Sequence, residues 1–337
     1  MTGPAANGNS TVLQWIQDRL ACDDGVVAAT VADTFDRSPY PAGTIMAFAR
    51  DGGLTGSVSS GCVEADLYTR AQQIFLEHPR LGESPPRILT FDAAVESGDP
   101  FAAPHPCGGA LTIVLHELTA GRFPELPILL KSIHGGRPIT TALNLRTGRI
   151  LLDPEPGDIG LGHDVLRTRY EPPPRLLIFG ISDIAVELAT LASRLDHRIT
   201  VCDPRSAFLR PTRFPETVEL VADWPDRYLR RQREIDAITA TTAVVDLTHE
   251  DRFSLPLLLE ALDSPRWPPD GRPAFVGALA SRARSAIRRR ALRDLGLSAS
   301  DEAALRSPIG LNPSGRTAPL IALSILAQLH ALGEPTA

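Results

Sequence analysis

Lysine is almost absent from this 337-residue sequence: Lys131 is its only lysine, and all other members of the Lys/Arg set are arginines. This scarcity excludes Schiff-base and phosphate-loop mechanisms that need a second lysine. Basic residues are also in the minority, since 34 lysines and arginines face 40 aspartates and glutamates, for a net charge of −6. Because nucleic-acid binding needs cations concentrated on one face, this balance argues against a nucleic-acid partner.

The sequence also contains few cysteines, and none of them lies in a closely spaced pair. The four cysteines, Cys22, Cys62, Cys107 and Cys202, form no CxxC pair, so the sequence predicts neither a disulfide framework nor a zinc knuckle. No run reaches the roughly 18 apolar residues that span a bilayer, and the N-terminus has no basic start followed by an apolar core. We therefore expect a cytoplasmic protein without a membrane span.

What the sequence does contain is the composition of a folded globular protein, 43% hydrophobic and 22% charged, at a length typical of two domains. The run Glu171-Pro172-Pro173-Pro174 is its clearest linker, because consecutive prolines join neither a helix nor a central strand. We therefore predict one domain over residues 1–170 and a second over residues 171–337.

The first domain mixes helical and strand patterns. Helical spacing after Thr11 predicts a helix over residues 11–20 with Thr11 as its cap. Three strands follow, the last two joined at Asp51-Gly52-Gly53, which supplies the positive-φ positions of a tight hairpin. The pattern is helical from Gly61 to about Leu76, and two more strand patterns, PRILTFDA and GALTIVLHEL, flank a Gly/Pro-rich insert. These elements predict a mixed α/β domain.

The second domain alternates strands and helices. An apolar strand at residues 176–179, a turn at Gly180, an amphipathic helix and a strand at residues 198–202 form one βαβ unit. The segments TAVVDLTHED and PAFVGALASRARSAIRRRALRDLG continue the same rhythm. This alternation predicts a doubly wound parallel sheet of the Rossmann-like type.

The turn of that βαβ unit departs from the dinucleotide-binding fingerprint G-x-G-x-x-G/A. It reads Gly180-Ile181-Ser182-Asp183-Ile184-Ala185, so Ser182 replaces the second glycine and Asp183 adds a charge where a pyrophosphate would approach. Asp203 ends the next strand, which is the position of a ribose-binding acid. The pattern is compatible with nucleotide recognition and equally with a Rossmann scaffold whose binding turn is degraded.

Two cysteines lie beside glycines in separate loops of the first domain. Cys62 follows the Gly/Ser-rich residues 56–61 and precedes a helix start, where the helix dipole lowers the pKa of a thiol. The same turn can present N–H groups to a phosphate or another anion. Cys107 lies in His105-Pro106-Cys107-Gly108-Gly109. Cys62 is a candidate nucleophile, persulfide carrier or soft-metal ligand, against the alternative of a buried thiol at a helix start.

Histidines and arginines give weaker signals. No histidine has metal-ligand spacing to another histidine or to a cysteine, although His249 follows a strand at the edge where α/β proteins bind ligands. Six arginines lie between Arg282 and Arg293. They can bind a phosphate or an acidic partner, but such runs are usually solvated helix faces, and we interpret them in that way.

The two cysteine loops, Gly56-Ser57-Val58-Ser59-Ser60-Gly61-Cys62-Val63-Glu64 and Pro106-Cys107-Gly108-Gly109, resemble the signature loops of the XdhC/CoxI family. Its members are accessory proteins of molybdenum hydroxylases such as xanthine dehydrogenase and carbon monoxide dehydrogenase. The second half resembles the family's Rossmann-like domain through LLIFG, TVCDPR, LTHED and SPIGLNPSGRT. It departs from the family at Gly180-Ile181-Ser182-Asp183, where Gly-Ala-Gly-His is common, and at Ala280-Ser281-Arg282, where Gly-Ser-Arg is common.

The resemblance implies a protein that binds the molybdenum cofactor, as molybdopterin or its cytosine dinucleotide form, assists its sulfuration by a cysteine desulfurase and inserts it into an apo-hydroxylase. Cys62 and Cys107 would hold or exchange sulfur near molybdenum and serve as its ligands. A homodimer would shield so labile a cofactor. The cofactor-binding residues implied are Gly56, Ser57, Ser59, Ser60, Gly61, Glu64, Gly108 and Gly109 in the first domain and Gly180, Ser182, Asp203 and His249 in the second.

Two other functions are compatible with the same fold. An NAD(P)-dependent oxidoreductase needs an intact phosphate turn and a general acid or base near the nicotinamide, and the turn here is altered. A regulatory partner without a cofactor would tolerate changes in both cysteine loops, which are whole. We therefore expect a cofactor chaperone, with sulfur transfer as its one candidate chemical step.

Overall fold

A computed structural model describes residues 9–34, 38, 40–61, 63–91, 110–153, 158–268, 271–311 and 316–331. The chain divides into two compact units, Met1–Pro172 and Pro173–Ala337. Among the described residues, no helix is both long enough and apolar enough to cross a membrane.

The first unit is built on a five-stranded antiparallel sheet. Its strands are β1 (Val26–Thr34), β2 (Ile45–Ala49), β3 (Leu54–Gly56), β4 (Arg87–Phe91) and β5 (Leu111–Leu118), in the order β3-β2-β1-β5-β4. The central strand β1 is rich in valine, alanine and threonine, and residues 26–32 are all buried. A strand covered on both faces has no polar face, so β1 reads as an apolar run.

Helices cover both faces of this sheet. On one face α2 (Glu64–Glu77) shares a core with Val27, Ala29 and Val31, the odd-numbered residues of β1. On the other face α1 (Asn9–Ala21) and α3 (Leu126–His134) share a core with Val26 and Ala28. This alternation follows from the two-residue period of a strand. The helix α2 follows the edge strand β3 after residues 57–63.

The start of α1 differs from the prediction that Thr11 caps it. The helix begins at Asn9, whose side chain is buried and bonds the neighbouring strand segment. Asn9 Nδ2 donates to the carbonyl of Gly43 at 2.7 Å, and Asn9 Oδ1 accepts from the N–H of Ile45 at 3.1 Å. These tertiary hydrogen bonds hold Asn9 in place, so the helix begins two residues before Thr11.

The hairpin between β2 and β3 forms at Asp51-Gly52-Gly53, as the sequence predicts. Gly52 has φ +87°, and the N–H of Gly53 bonds the Asp51 carboxylate at 2.9 Å. Of the two glycines, only Gly52 takes a positive φ. The hairpin joins β2 to β3, and β3 leads the chain into residues 57–63.

A second sheet completes the first unit, and the sequence patterns did not predict it. Its antiparallel strands are β6 (Ile139–Asn144), β7 (Ile150–Leu152), β8 (Gly160–Leu161) and β9 (Val165–Tyr170), in the order β7-β6-β9-β8. The strands are short, and few of their side chains are buried. Strands of two to six residues carry too little periodicity to be recognised in isolation.

The second unit is a six-stranded parallel sheet. Its strands are β10 (Arg175–Phe179), β11 (Arg198–Cys202), β12 (Glu219–Val221), β13 (Thr242–Asp246), β14 (Phe275–Ala278) and β15 (Leu305–Arg306), in the order β12-β11-β10-β13-β14-β15. All adjacent pairs are parallel. The strand order reverses direction between β10 and β13, so the prediction of a doubly wound, Rossmann-like sheet is confirmed.

Helices cover both faces of the parallel sheet, as the buried strands require. The helices are α4 (Asp183–Ser193), α5 (Pro225–Glu234), α6 (Asp251–Leu262), α7 (Arg282–Asp294), α8 (Ala299–Ala303) and α9 (Ala318–Ala331). Buried residues of α4 and α9 share one core with the sheet, and those of α5, α6 and α7 share the other. The helices α4, α6 and α7 begin at the carboxyl edge of the sheet, just after β10, β13 and β14.

Candidate functional site

The loop of residues 57–63, which carries Cys62 in its sequence, is built around the carboxylate of Glu64. Glu64 Oε1 accepts hydrogen bonds from Ser57 Oγ at 2.7 Å and from the N–H of Ser59 at 2.8 Å, and Oε2 accepts from Ser59 Oγ. Longer bonds come from the N–H groups of Val58, at 3.4 Å, and Val63, at 3.3 Å. One carboxylate therefore holds both ends of the 57–63 loop.

Glu64 is charged in this environment. Burial raises its pKa and is the largest single influence, but the hydrogen bonds from Ser59, Ser57 and the backbone together outweigh burial and lower the pKa below its ordinary value. Hydrogen bonds to an ionised acceptor are roughly twice as strong as neutral ones. The loop is therefore held by charge-assisted bonds at neutral pH.

Two glycines with positive φ give the loop its shape. Gly56 has φ +80° and Gly61 has φ +101°. A Cβ on Gly56 would lie 2.4 Å from the carbonyl oxygen of Ile45, whereas a Cβ on Gly61 would meet nothing within 4 Å. Ser60 and Gly61 are exposed, and Ser59 is buried. The loop therefore presents a fixed, open tip immediately before Cys62 in the chain.

The N–H groups of the loop are arranged differently from the prediction that they face an anion. Those of Val58, Ser59 and Val63 donate to Glu64, and that of Gly61 donates to Ser59 Oγ at 3.2 Å. A partly buried carboxylate needs several donors, and the amides of its own loop supply them. An anion would bind the amides of Val58, Ser59 and Val63 only if the loop released Glu64, and that of Gly61 only if Ser59 Oγ gave it up.

Replacing Glu64 by glutamine is expected to loosen the 57–63 loop without unfolding the unit. The change removes one charge and places an amide donor against other donors. Losing charge-assisted bonds of about 2 kcal/mol should raise the local opening constant roughly 30-fold. Hydrogen exchange at the amides of Ser59 and Val63 measures this. Glu77→Gln, an exposed change on the same helix, is the control, and equal exchange in both variants would contradict the role of Glu64.

Cys62, Cys107, Gly108 and Gly109 lie outside the described residues, so their placement stays a prediction. The two other cysteines are described. Cys22 is exposed, whereas Cys202 is buried, and burial raises the pKa of the Cys202 thiol to about 12. The thiolate is the reactive form, so Cys202 is a core residue. Among the described residues, no group of three or more histidine, cysteine or acidic side chains is arranged to hold a metal ion.

In the second unit, Gly180 directly follows β10 at the edge of the sheet where ligands bind in this fold. It has φ +97°, and a Cβ there would lie 2.9 Å from the backbone nitrogen of Thr248 and 3.0 Å from the carbonyl carbon of Leu247. The N–H of Gly180 donates to the carbonyl of Cys202 at 2.9 Å. A glycine is therefore required at position 180 because the backbone of residues 247–248 lies against it, leaving no room for a side chain.

Ser182 and Asp183 take structural positions at the start of α4. Ser182 is the N-cap, and its Oγ accepts from the N–H of Ala185 at 3.3 Å. The Asp183 side chain is 85% exposed and forms an ion pair with Arg213 at 2.7 Å. The serine that replaces the second fingerprint glycine therefore stabilises the helix start.

Asp203 has both carboxylate oxygens engaged within the protein. Oδ2 accepts from the N–H of Ile181 at 2.9 Å and from Arg205 Nη2 at 2.9 Å, and Oδ1 accepts from the N–H of Arg205 at 2.8 Å and from its Nε at 3.0 Å. Burial raises the pKa of Asp203 most, yet these bonds together lower it. A ribose at Asp203 would have to displace the Arg205 guanidinium.

His249 is exposed, and the buried acid nearby is Asp246, which the sequence patterns did not single out. Asp246 ends β13; its Oδ1 accepts from the N–H of Thr248 at 2.9 Å and from Thr248 Oγ1 at 2.6 Å, and its Oδ2 accepts from Ser254 Oγ. Burial raises its pKa. An acid directly after two valines at a strand end was the available signal.

The interpretation of all the α7 arginines as a solvated face is wrong for Arg288. Its residue exposure is only 2%, whereas Arg282 and Arg290 are exposed. Arg288 Nη1 lies 3.7 Å from Asp246 Oδ2. The cause is the helical period, which turns this position toward the end of β13.

Comparisons with known proteins agree with this architecture. The family model described as "XdhC and CoxI family" matches residues 20–89, and the model described as "XdhC Rossmann domain" matches residues 176–329. The chain is 26% identical over 320 residues to the molybdenum cofactor insertion chaperone PaoD of Escherichia coli (strain K12), covering 95% of this chain and 87% of that protein.

Two further proteins are similar. A probable xanthine dehydrogenase subunit of Bacillus subtilis (strain 168) is 24% identical over 234 residues, or 62% of this chain and 69% of that protein. The crystal structure of a xanthine dehydrogenase from Bacillus halodurans superposes with a TM-score of 0.75 at 23% identity, covering 97% of this chain and 95% of that chain. The structural likeness supports the fold.

The two family models match opposite halves of the chain in the order in which its two units occur, and a relative aligns along nearly its whole length. The chain therefore belongs to the XdhC/CoxI family.

Proposed function

We propose that this protein binds the molybdenum cofactor through its first unit and inserts it into a molybdenum hydroxylase of the xanthine dehydrogenase class. The observation that carries the proposal is the set of hydrogen bonds by which Glu64 holds Ser57, Ser59 and Val63, residues of the sequence segment that carries the family's cysteine signature. The name of the PaoD relative, a molybdenum cofactor insertion chaperone, supports the same function.

The two predicted cysteines are of a type that would suit such a ligand. Thiolates are the soft ligands that suit a metal–sulfur centre, and Cys62 and Cys107 are the side chains that would hold it. Ser60 and Gly61 are exposed, with open space beyond Gly61, so the two residues that precede Cys62 in the chain are accessible. The cofactor supplies the molybdenum centre; the protein supplies thiols and shielding from water.

The finer steps belong to the same proposal. A cysteine desulfurase would supply sulfur for the cofactor, with Cys62 or Cys107 as the carrier, and a homodimer would enclose the bound cofactor. The pterin would be bound as molybdopterin or as its cytosine dinucleotide. Both cysteines would act in binding or sulfur transfer, so the protein would serve as a cofactor chaperone with sulfur transfer as its one candidate chemical step.

Nothing in the described part of the second unit favours the NAD(P)-dependent oxidoreductase. Ser182 caps α4, and Asp203 is saturated by Arg205 and Ile181. A dinucleotide would need the Gly180 turn and Asp203 free to contact a pyrophosphate and a ribose. The second unit is therefore proposed as a scaffold with respect to NAD(P).

Replacing Cys62 by alanine is expected to weaken binding of the isolated molybdenum cofactor by at least about tenfold, the scale on which metal-site substitutions act. Equilibrium binding under anaerobic conditions measures the affinity, and activation of an apo-hydroxylase measures delivery. Cys22→Ala, which removes an exposed cysteine of the same unit, is the matched control.

Circular dichroism verifies that both variants are folded. No binding by the wild-type protein would end the proposal, and equal affinity of wild type and Cys62→Ala would remove Cys62 from the site.

A further inference from the structure

The helix α9 of the second unit contains no charged residue. Its 14 residues, APLIALSILAQLHA, include no Asp, Glu, Lys or Arg, and in the part of the chain that the structure describes it is the only α-helix of which this is true. Helices at a protein surface usually have charged residues on their outer side, whereas a helix that is apolar all round is buried. The composition of α9 therefore predicts that every side of it is covered.

The unit itself covers only part of α9. Ala322, Ile325 and Leu326 are buried in the core that the helix shares with α4 and the parallel sheet. The two polar side chains next to this side bond the segment before the helix. Ser324 Oγ donates to the carbonyl of Leu311, and Gln328 Oε1 accepts from the N–H of Gly310 at 2.7 Å. These polar groups are turned toward the unit and leave an apolar outer side.

That outer side is exposed. Leu320 is 43% and Leu323 is 55% exposed, and Ala327 and Ala331 are exposed as well. Residues three or four positions apart lie on one side of a helix, so these four residues form one stripe, which we call the α9 stripe. Single exposed leucines are common, but a continuous apolar side marks an interaction site.

The order of side-chain sizes in the α9 stripe fits a second copy of the same helix. The two leucines lie in its N-terminal half and the two alanines in its C-terminal half. A two-fold axis between residues 323 and 327 would make two copies antiparallel. Leu323 would then lie opposite Ala327 of the partner subunit, and Leu320 beside Ala331 of the partner subunit. Large residues facing small ones pack without gaps, whereas a parallel pair would place leucine on leucine.

Charge favours the same arrangement. Arg316, two residues before α9, is exposed and has neither an ion pair nor a hydrogen bond with any residue that the structure describes. In an antiparallel pair its guanidinium would lie near the C-terminal end of the other α9, where the helix dipole favours a cation. The stripe itself carries no charge, so two copies would meet without repulsion. A strongly acidic or basic partner would find no opposite charge on it.

We propose that α9 is the contact helix of a homodimer, in which the α9 stripes of two copies pack antiparallel around a two-fold axis. The proposal builds on the homodimer that the proposed function includes, and it gives that homodimer a surface. It uses no residue of the first unit, so the dimer and the cofactor site can be tested separately.

Sedimentation equilibrium of the full chain over a concentration series tests the dimer. Wild type is expected to dimerise with a Kd on the order of 10 μM or tighter, the weak end of the range for protein interfaces. Leu323→Glu should raise this Kd at least about 100-fold, because it brings two carboxylates together near the axis. Leu295→Glu is the matched control: Leu295 is also 55% exposed, but it ends α7, which packs on the other side of the sheet. This control should dimerise as wild type does.

Disulfide cross-linking tests the direction of the two helices. The variants Leu323→Cys and Ala327→Cys are prepared in a Cys22→Ala background, which removes an exposed native thiol. Because a disulfide needs Cα atoms within about 7 Å, a mixture of the two variants should cross-link between subunits faster than either variant alone. Mass spectrometry of the linked peptides identifies the bond. Fastest cross-linking by Leu323→Cys alone would indicate a parallel pair and contradict the proposal.

Two sedimentation results would also overturn it. One is a wild-type protein that stays monomeric at every concentration; if Leu323→Glu then lowers activation of an apo-hydroxylase, the α9 stripe binds the hydroxylase and not a second copy. The other is an equal Kd for wild type and Leu323→Glu, which would place the dimer contact elsewhere. Cys62→Ala should dimerise as wild type does, so loss of cofactor binding and loss of the dimer are distinguishable.

Discussion

Replacing Gly180 by alanine is expected to lower the free energy of unfolding of the second unit by roughly 2–5 kcal/mol, as the sum of backbone strain and overpacking. Gly180 has φ +97°, a conformation that residues with a Cβ adopt at a cost. The added Cβ would lie 2.9 Å from the backbone nitrogen of Thr248. Backbone atoms cannot rotate away, so β10 and the segment after β13 must separate.

Gly296→Ala is the matched control for this change. Gly296 has φ +95°, nearly the same as Gly180, but a Cβ there meets nothing within 4 Å. The Gly296→Ala variant should therefore lose only the free energy that backbone strain costs, about 1 kcal/mol. Hydrogen exchange of the β10 amides at increasing urea concentration measures the free energy of unfolding of the second unit in both variants. Equal losses would mean that the contact with Thr248 carries no cost.

The stability of the first unit is expected to fall on acidification because of His116. This histidine is buried in β5, and burial, followed by the nearby Arg122 charge, lowers its pKa to about 3. An unfolded histidine titrates near pH 6.5. Between these values the unfolded chain binds a proton that the native unit does not, so native stability decreases by about 1.4 kcal/mol per pH unit below about pH 6.5.

The variant His116→Gln isolates this contribution, because glutamine does not titrate. The stability difference between wild type and His116→Gln should shift against wild type by about 3 kcal/mol from pH 7 to pH 4, as the slope implies. His163→Gln is the control, since the His163 side chain is 91% exposed. Hydrogen exchange of β1 and β5 amides reports the first unit. A difference that does not vary with pH would show that His116 takes up a proton in the native unit.

Local patterns were sufficient for the strongest elements of the fold. The hairpin glycine Gly52, the apolar strands β10 and β13, and the helix after Gly61 could all be predicted because each has a signal within a few residues. The sheet of β6 to β9 could not, since its strands are short and only part of each is buried. Asn9 shows the same limit at one residue: its partners, Gly43 and Ile45, are distant in sequence.

The candidate site divides in the same way. The Gly/Ser run before Cys62 and the glycine at position 180 were recognisable by type and spacing. The direction in which the side chains point could not be recognised from the sequence. Glu64 turns into its own loop, and Asp203 binds Arg205 in place of leaving its oxygens free. Both outcomes follow from the need to supply donors to a carboxylate that is buried, as in Asp203, or partly buried, as in Glu64, and this depends on which groups lie within about 3 Å.

The sequence by itself determined the family, the doubly wound second unit and the cysteine loop, because periodicity and motif spacing are properties of neighbouring residues. Only the tertiary structure decided which charged groups are satisfied and which are not. Arg288 is one of six arginines in a single run, and nothing in that run distinguishes it from Arg290. Folding places one in solvent and the other in the interior beside Asp246, since burial and hydrogen-bond pairing are set by strands and helices that meet from far apart in the chain.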